Sequence, residues 1–217
     1  LSFITDFFYT ATPEGLASFS KSIESLKALE SLDLRIYRFP FLLVAERANL
    51  ILSISRLTSL KQLHIGGTED WNNKMLEPFA EFKNLSSLEN FSISFCKNFS
   101  INEKLGPEGI KHLTEALKTI KTLKKLAFEF KECDAIDNKT MYHIAALING
   151  PSRLLEFSLA LHYCKVSKRG VGKLKEALKA KGTLLSVSFS FERCKNLGQD
   201  FLVVVLNEMR EYVPELM

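Results

Sequence analysis

The sequence predicts an α/β repeat array in which short parallel strands alternate with helices. Three observations carry that reading: a leucine-led figure recurs, apolar residues alternate inside it, and apolar residues between its copies follow helical spacing. The clearest copy is Leu123, Leu126, Phe128, Phe130 and Cys133. It returns as Leu154, Phe157, Leu159, Leu161, Cys164 and as Leu184, Val187, Phe189, Phe191, Cys194. Upstream it reads Leu88, Phe91, Ile93, Phe95, Asn98, and looser copies are led by Leu60 and Leu29. The leading leucines are separated by 31, 28, 35, 31 and 30 residues. A period of this size marks stacked units, each too small to bury its own apolar face.

Each element follows from local pattern. Residues 1–28 form a partial or capping repeat: Phe3, Thr5 and Phe7 fit the strand figure weakly, and Leu16, Phe19, Ile23 and Leu26 continue at helical spacing after Pro13. Six repeats occupy 29–198. The second, over 39–57, is apolar nearly all round, and the third is interrupted by Trp71-Asn72-Asn73 and by Pro78, which starts a short helix. The longest interval comes from extra loop at 99–106. Residues 109–120 and 170–178 place apolar residues at i, i+3, i+4 and i+7 with Lys and Glu between them, a half-buried helix. Pro107 suits the first turn of its helix, and the equivalent helix at 140–149 is closed by Gly150-Pro151. Residues 199–217 are read as a C-terminal capping helix with no strand after it, one face of its 201–206 run closing the core.

Composition fits one domain over 1–217. At 46% hydrophobic the chain can bury a continuous core, and its net charge of +4 is mild. With Lys and Arg spread along the sequence, the charge reads as solubility, which argues against nucleic acid as a partner. The longest apolar run, 39–45, is too short to span a membrane and contains Pro40, so membrane insertion is not expected. The chain opens on Leu1, and 1–8 lacks the basic start of a signal peptide. It is read as a piece of a longer or processed chain in an intracellular setting, cytoplasmic or cytoskeleton-associated.

The figure Leu-x-x-Leu-x-Leu-x-Leu-x-x-(Asn/Cys)-x-Ile, followed by Gly-apolar-x-x-Leu-x-x-Ala-Leu, resembles leucine-rich repeats of the ribonuclease-inhibitor type. It is most similar to the long-strand variant, with about 31 residues per repeat, found in large protist families. The first two copies depart, with Phe39, Gly67 and Asp70 where the pattern has Asn, Leu and Asn. The resemblance implies a right-handed solenoid of about six repeats plus terminal caps, with parallel strands on its concave face and helices on its convex face. Right-handed crossovers are also what strand–helix–strand units of this size make.

No catalytic, cofactor or metal constellation stands out. Cys133, Cys164 and Cys194 recur once per repeat, about 5 Å apart if stacked on adjacent strands, so a disulfide is open on distance. Sharing their position with Asn98, they read better as a buried ladder, and no Cys-x-x-Cys or Cys–His pair supports a metal. Cys96 is expected to face outward. Asn84, Asn98 and Asn138 begin glycosylation-like sequons that are judged accidental, Asn98 because the ladder buries it. His64 and His162 fall on outward strand positions and His112 and His143 on helices, none with ligand spacing.

What remains is a surface. Outward strand positions are Asp33, Arg35, His64 and Gly66, then small residues at Ser92, Ser94, Ala127, Ser158, Ala160, Ser188 and Ser190. Lys125, Glu129, Lys131, Glu156, His162 and Glu192 flank them. Two readings of this corridor stand: the inside of a curved sheet tolerates only small side chains, or the corridor is a groove for a protein partner. The expected function is a non-catalytic protein–protein interaction scaffold within a larger assembly. The alternative is a substrate-recognition or inhibitory domain of a longer protein. A small-molecule ligand is not expected.

Overall fold

A computed structural model of the chain describes residues 2–7, 12–36, 44–68, 71–96, 105–210 and 215–216. The predicted positions Phe39, Asp70 and Asn98 lie outside them. The elements alternate: β1 (Ser2–Phe7), α1 (Pro13–Ser25), β2 (Ser31–Ile36), α2 (Val44–Ser55), β3 (Gln62–Thr68), α3 (Asn73–Leu76) with a 3₁₀ helix (Glu77–Asn84), and β4 (Asn90–Phe95). They continue as α4 (Pro107–Lys118), β5 (Lys125–Lys131), α5 (Asn138–Ile148), β6 (Glu156–His162), α6 (Lys168–Lys181), β7 (Ser186–Glu192), α7 (Gln199–Arg210) and β8 (Glu215–Leu216). The strands form one sheet in chain order, β1 to β8, every neighbouring pair parallel.

The core follows from the repeat. Parallel pairing sets Leu32, Leu63, Phe91, Leu126, Phe157 and Val187 side by side, and Leu34, Ile65, Ile93, Phe128, Leu159 and Phe189 in the next inward row. The six leading leucines, from Leu29 to Leu184, are all buried behind them. Phe95 stacks on Phe130 at 5.4 Å and Phe128 on Phe130 at 6.1 Å. Every second side chain therefore enters the layer between sheet and helices, and the intervening ones form the opposite face of the sheet.

Helix spacing is fixed by a recurrent tie. The Asn73 side-chain oxygen accepts from the N–H groups of Gly106 (2.8 Å) and Gly109 (3.0 Å), binding the first turn of α4 to α3. Two repeats later, between α5 and α6, Asn138 Oδ1 accepts from the Ser167 N–H at 3.0 Å. The glycines of the Gly-apolar-x-x-Leu signature make this approach possible. A Cβ on Gly109 would lie 2.9 Å from Asn73 Cα, and one on Gly170 2.7 Å from Asn138 Oδ1. Asn138 is therefore occupied inside the fold, with its sequon partner Thr140 fully buried.

The interrupted third repeat replaces one long helix by two short pieces. The Asn72 side chain caps α3 by accepting from Met75 N–H, and Pro78 opens the 3₁₀ helix. Trp71 fills the space, edge-on to Phe79 at 5.5 Å and Phe95 at 6.3 Å. Gly67, a departure from the figure, has φ of 63° where the β3–β4 register shifts between Ile65 and Thr68. Only glycine adopts that backbone freely, so the residue that breaks the pattern makes the bulge.

One expectation at the C-terminal end is corrected. A strand does follow the last helix: β8 pairs with β7 through Ser186–Glu215 and Val187–Leu216. One face of the 201–206 run does meet the core. Val205 is buried and Phe201 packs partly inward, but Val203 and Val204 are 56% and 54% exposed. Phe189 and Phe191 are consequently half-buried, because the final helix covers them only in part.

Two outcomes follow. Phe128→Ala should cost about 3–5 kcal/mol in chemical denaturation and Phe189→Ala about 1–2 kcal/mol, in proportion to burial; equal costs would contradict this core. Gly109→Ala should cost about 1–3 kcal/mol as α4 is pushed off Asn73, whereas Gly172→Ala, with open space around its Cβ position, should not destabilise the fold.

Candidate docking surface

The sheet face turned away from the helices is built in rows, because in-register pairing places equivalent residues of successive strands beside one another. The row at the start of the strands is Ser31, Gln62, Asn90, Lys125, Glu156 and Ser186. Two residues on lies Asp33, His64, Ser92, Ala127, Ser158 and Ser188. Side chains from both rows line a trough of about 630 Å³ that crosses β2 to β7. Five strand spacings make it about 24 Å long.

A smaller depression of about 450 Å³ lies at the far ends of β5–β7 and is lined by Glu129, Lys131, His162 and Glu192 with Glu132, Tyr163 and Arg193. Between the two runs the row Ser94, Glu129, Ala160 and Ser190. The predicted corridor is thus divided. Ser92, Lys125, Glu156, Ser158 and Ser188 line the trough, Glu129, Lys131, His162 and Glu192 the depression, and Ser94, Ala160 and Ser190 line neither.

Polar contacts organise the floor. His64 Nδ1 lies 2.7 Å from Ser92 Oγ, and its ring lies so close over Gly66 that a Cβ there would be 2.7 Å from Nε2. Ser94 Oγ donates to Glu129 at 2.9 Å, and Lys125 pairs with Glu156 at 2.8 Å. His162 Nδ1 donates to Glu192 at 3.0 Å with Glu129 4.0 Å from Nε2, so this imidazole bridges the carboxylates of β5 and β7. None of these pairs places a nucleophile on a histidine that a carboxylate also holds, so the arrangement supplies contacts and no triad. Among the described residues no three His, Cys, Asp or Glu gather as a metal site, and no helix is long and apolar enough to cross a membrane.

Two features of this face have little sequence signal. The rim just before the strands reads Glu30, Lys61, Glu89, Lys124, Leu155, Leu185, each N–H after the first donating to the previous member's carbonyl. The first four pair as Lys61–Glu30 (2.6 Å) and Lys124–Glu89 (2.9 Å), while Leu155 and Leu185 are 36% and 54% exposed. A place that accepts charge in four strands does not need leucine in the last two. Doubled leucines at 154–155 and 184–185 were the available clue, obscured because the first of each pair is core.

The second is backbone. Glu132, Tyr163 and Arg193, each just past its strand, have φ of 56°, 57° and 53°. This left-handed conformation costs a non-glycine residue about 1 kcal/mol. Hydrogen bonds to the next strand offset it, from Glu132 N–H to His162 O and from Tyr163 N–H to Glu192 O. The turn points the following residue inward, and that residue is the repeated cysteine.

The cysteines form the expected ladder. Cys133, Cys164 and Cys194 are buried free thiols, and each Sγ donates to a carbonyl of the preceding strand: Phe95 at 3.7 Å, Phe130 at 3.5 Å and Leu161 at 3.4 Å. Burial pushes the Cys164 thiol up to about 12 and raises those of Cys133 and Cys194. Cys96, the residue after buried Phe95, is half-buried like the outward positions Ser92 and Ser94.

Neither a protein-family model nor a curated protein matches the chain. Among solved structures it is similar to leiomodin-1 actin-binding site 2, with a TM-score of 0.50 and 15% identity over 79% of this chain and 91% of that one. The likeness is one of fold, in keeping with an α/β, all-parallel, repeat-like sheet. The narrower ribonuclease-inhibitor type has no support in these comparisons.

The ladder predicts two measurements. Cys133, Cys164 and Cys194 should resist thiol reagents until the protein unfolds, with Cys96 labelling first; simultaneous labelling would contradict their burial. Because the folded thiol values are raised, the unfolded chain loses these protons first as pH rises past about 8.5. Stability should be fully present below that point and fall through about pH 12 for Cys164. A Cys164→Ser melt series should show a shallower alkaline decline than the native chain, and parallel curves would refute the linkage.

Proposed function

We propose that this chain is a non-catalytic leucine-rich repeat scaffold that docks a protein partner along the trough of its sheet. The observation that carries the reading is the trough itself, which crosses six strands and is lined at matching register positions from each. Small side chains at Ser92, Ala127, Ser158 and Ser188 let a partner backbone approach, and the exposed Leu155 and Leu185 lie one residue outside its edge. Lys125 and Glu156 would orient the partner more than strengthen its binding.

The same reading takes the solenoid as right-handed, the sense in which parallel strand–helix–strand crossovers almost always turn. It places the chain in a reducing, intracellular setting, which suits a buried thiol ladder. Because the neighbour in fold is an actin-binding site, cytoskeletal association is the first setting to examine, with purified actin the first partner to try.

An arginine in the trough should block docking without unfolding the chain, since Ser158 and Ser188 face away from the core. Ser158→Arg and Ser188→Arg are expected to melt within about 2 °C of the native protein, as surface changes do. They should lose whatever protein co-purifies with the native chain, identified by mass spectrometry. Full retention by both variants would remove the trough as the docking surface.

A further inference from the structure

The cations are not spread as evenly as the overall composition suggested. The fourteen residues of α6 carry Lys168, Arg169, Lys173, Lys175, Lys179 and Lys181 against the one carboxylate of Glu176. That is a net of +5 on one helix, where the whole chain has +4. Neighbouring helices do not offset it: α5 adds Lys139 and no carboxylate, and α7 sets Asp200 and Glu208 against Arg210. In α4, which packs on the same side of the sheet, Glu108 and Glu115 balance Lys111 and Lys118. The helix layer therefore does not require a basic helix at this place.

The contacts of these cations leave most of the charge uncompensated. Lys173 pairs with Glu176 on exposed surface, and half-buried Lys175 pairs with exposed Glu208; surface pairs of this kind contribute little. Lys168 lies 5.3 Å above the Phe201 ring, and Arg169 lies 6.0 Å above that of Tyr142. On α7, Phe201, Val204 and Glu208 share a helical stripe, so the exposed Val204 lies between the two residues that meet Lys168 and Lys175. Basic helix and apolar step thus adjoin.

We propose that the outer side of α6 and the adjoining flank of α7 form a second docking surface, which takes an acidic segment of a protein partner. Carboxylates of that segment meet Lys168, Lys173, Lys175 and Lys179, and an apolar side chain rests on Val204. The surface lies on the helix side of the sheet, opposite the trough, and does not depend on the trough being occupied. An anionic bilayer fits less well, because interfacial helices insert Trp, Phe or Leu, whereas among the described side chains of α6 and α7 the large exposed apolar residues are valines and Phe201 is half-buried beside Lys168. Nucleic acid fits less well too: Glu176, Asp200 and Glu208 oppose phosphate, and the described side chains of α6 and α7 offer no exposed aromatic for base stacking.

The test is fluorescence anisotropy with the full chain and a labelled helical peptide of about fourteen residues, one face carrying glutamates flanking a leucine. The wild type should bind it, and the same peptide with glutamine for glutamate should not bind. Binding should weaken at least about tenfold between about 0.05 and 0.3 M salt, and by at least about tenfold in Lys168→Gln/Lys175→Gln/Lys179→Gln, whose unchanged melt confirms folding. Val204→Ser should weaken binding without changing its salt dependence. Ser158→Arg should bind as the wild type does, which separates this surface from the trough. The proposal is overturned if the glutamate peptide fails to bind, if the glutamine variant binds it equally, or if Ser158→Arg abolishes binding. It is equally overturned if phosphatidylserine vesicles or a single-stranded oligonucleotide bind α6 while the peptide does not.

Discussion

Register is the constraint on which the rest of this structure depends. Among the described residues eight parallel strands pair in chain order, so a residue in one strand lies beside its counterpart in the next. Any choice made once per repeat becomes a continuous row. Leucine and phenylalanine rows make the core, thiols make a ladder, and serine and alanine make a floor. A shift of one residue would turn each apolar row toward solvent, so the burial of every second side chain is what holds the register. The bulge at Gly67 shows the tolerance: a glycine with φ of 63° absorbs the irregularity, and β4 and β5 beyond it pair without a break.

Between strands, two of the helix pairs, α3–α4 and α5–α6, are tied by side chains that act across the repeat boundary. Asn73 and Asn138 each satisfy N–H groups at the start of the next helix, donors with no partner inside that helix. The glycine signature and the asparagine tie are two halves of one contact. This explains why glycine recurs at a helical position where propensity alone disfavours it.

The periodic part of the fold was legible in the sequence because it repeats: the leucine interval, the alternation and the thiol ladder each appear several times. What was not legible occurs once or depends on the end of the stack. Phe189 carries the same pattern as Phe128, yet it is half-buried because the last helix covers it incompletely, and pattern does not report what a neighbour fails to cover. The two-residue β8 is too short for any periodicity to register. The left-handed turns at Glu132, Tyr163 and Arg193 use residues with no preference for that conformation, so the signal lies in the backbone bonds they gain. Of the candidate surface, the outward positions were readable from strand phase. Its division into trough and depression was not, because that depends on which side chains rise from the sheet.

An array of equivalent positions supplies its own control for separating structural demand from surface choice. At the rim, Glu30, Lys61, Glu89 and Lys124 establish that the position takes charge, which leaves Leu155 and Leu185 unexplained by folding. In the helix layer, the balanced charges of α4 establish that a helix there can be neutral, which leaves the six cations of α6 unexplained by folding. The cysteines give the opposite result. Three consecutive repeats place the same thiol against the preceding strand's carbonyl, so that row is a structural demand. Where equivalent positions agree, packing is the sufficient cause; where one or two depart on exposed surface, packing does not account for them. By that criterion both departures, the rim leucines and the basic helix, fall in the last repeats, where packing asks for neither.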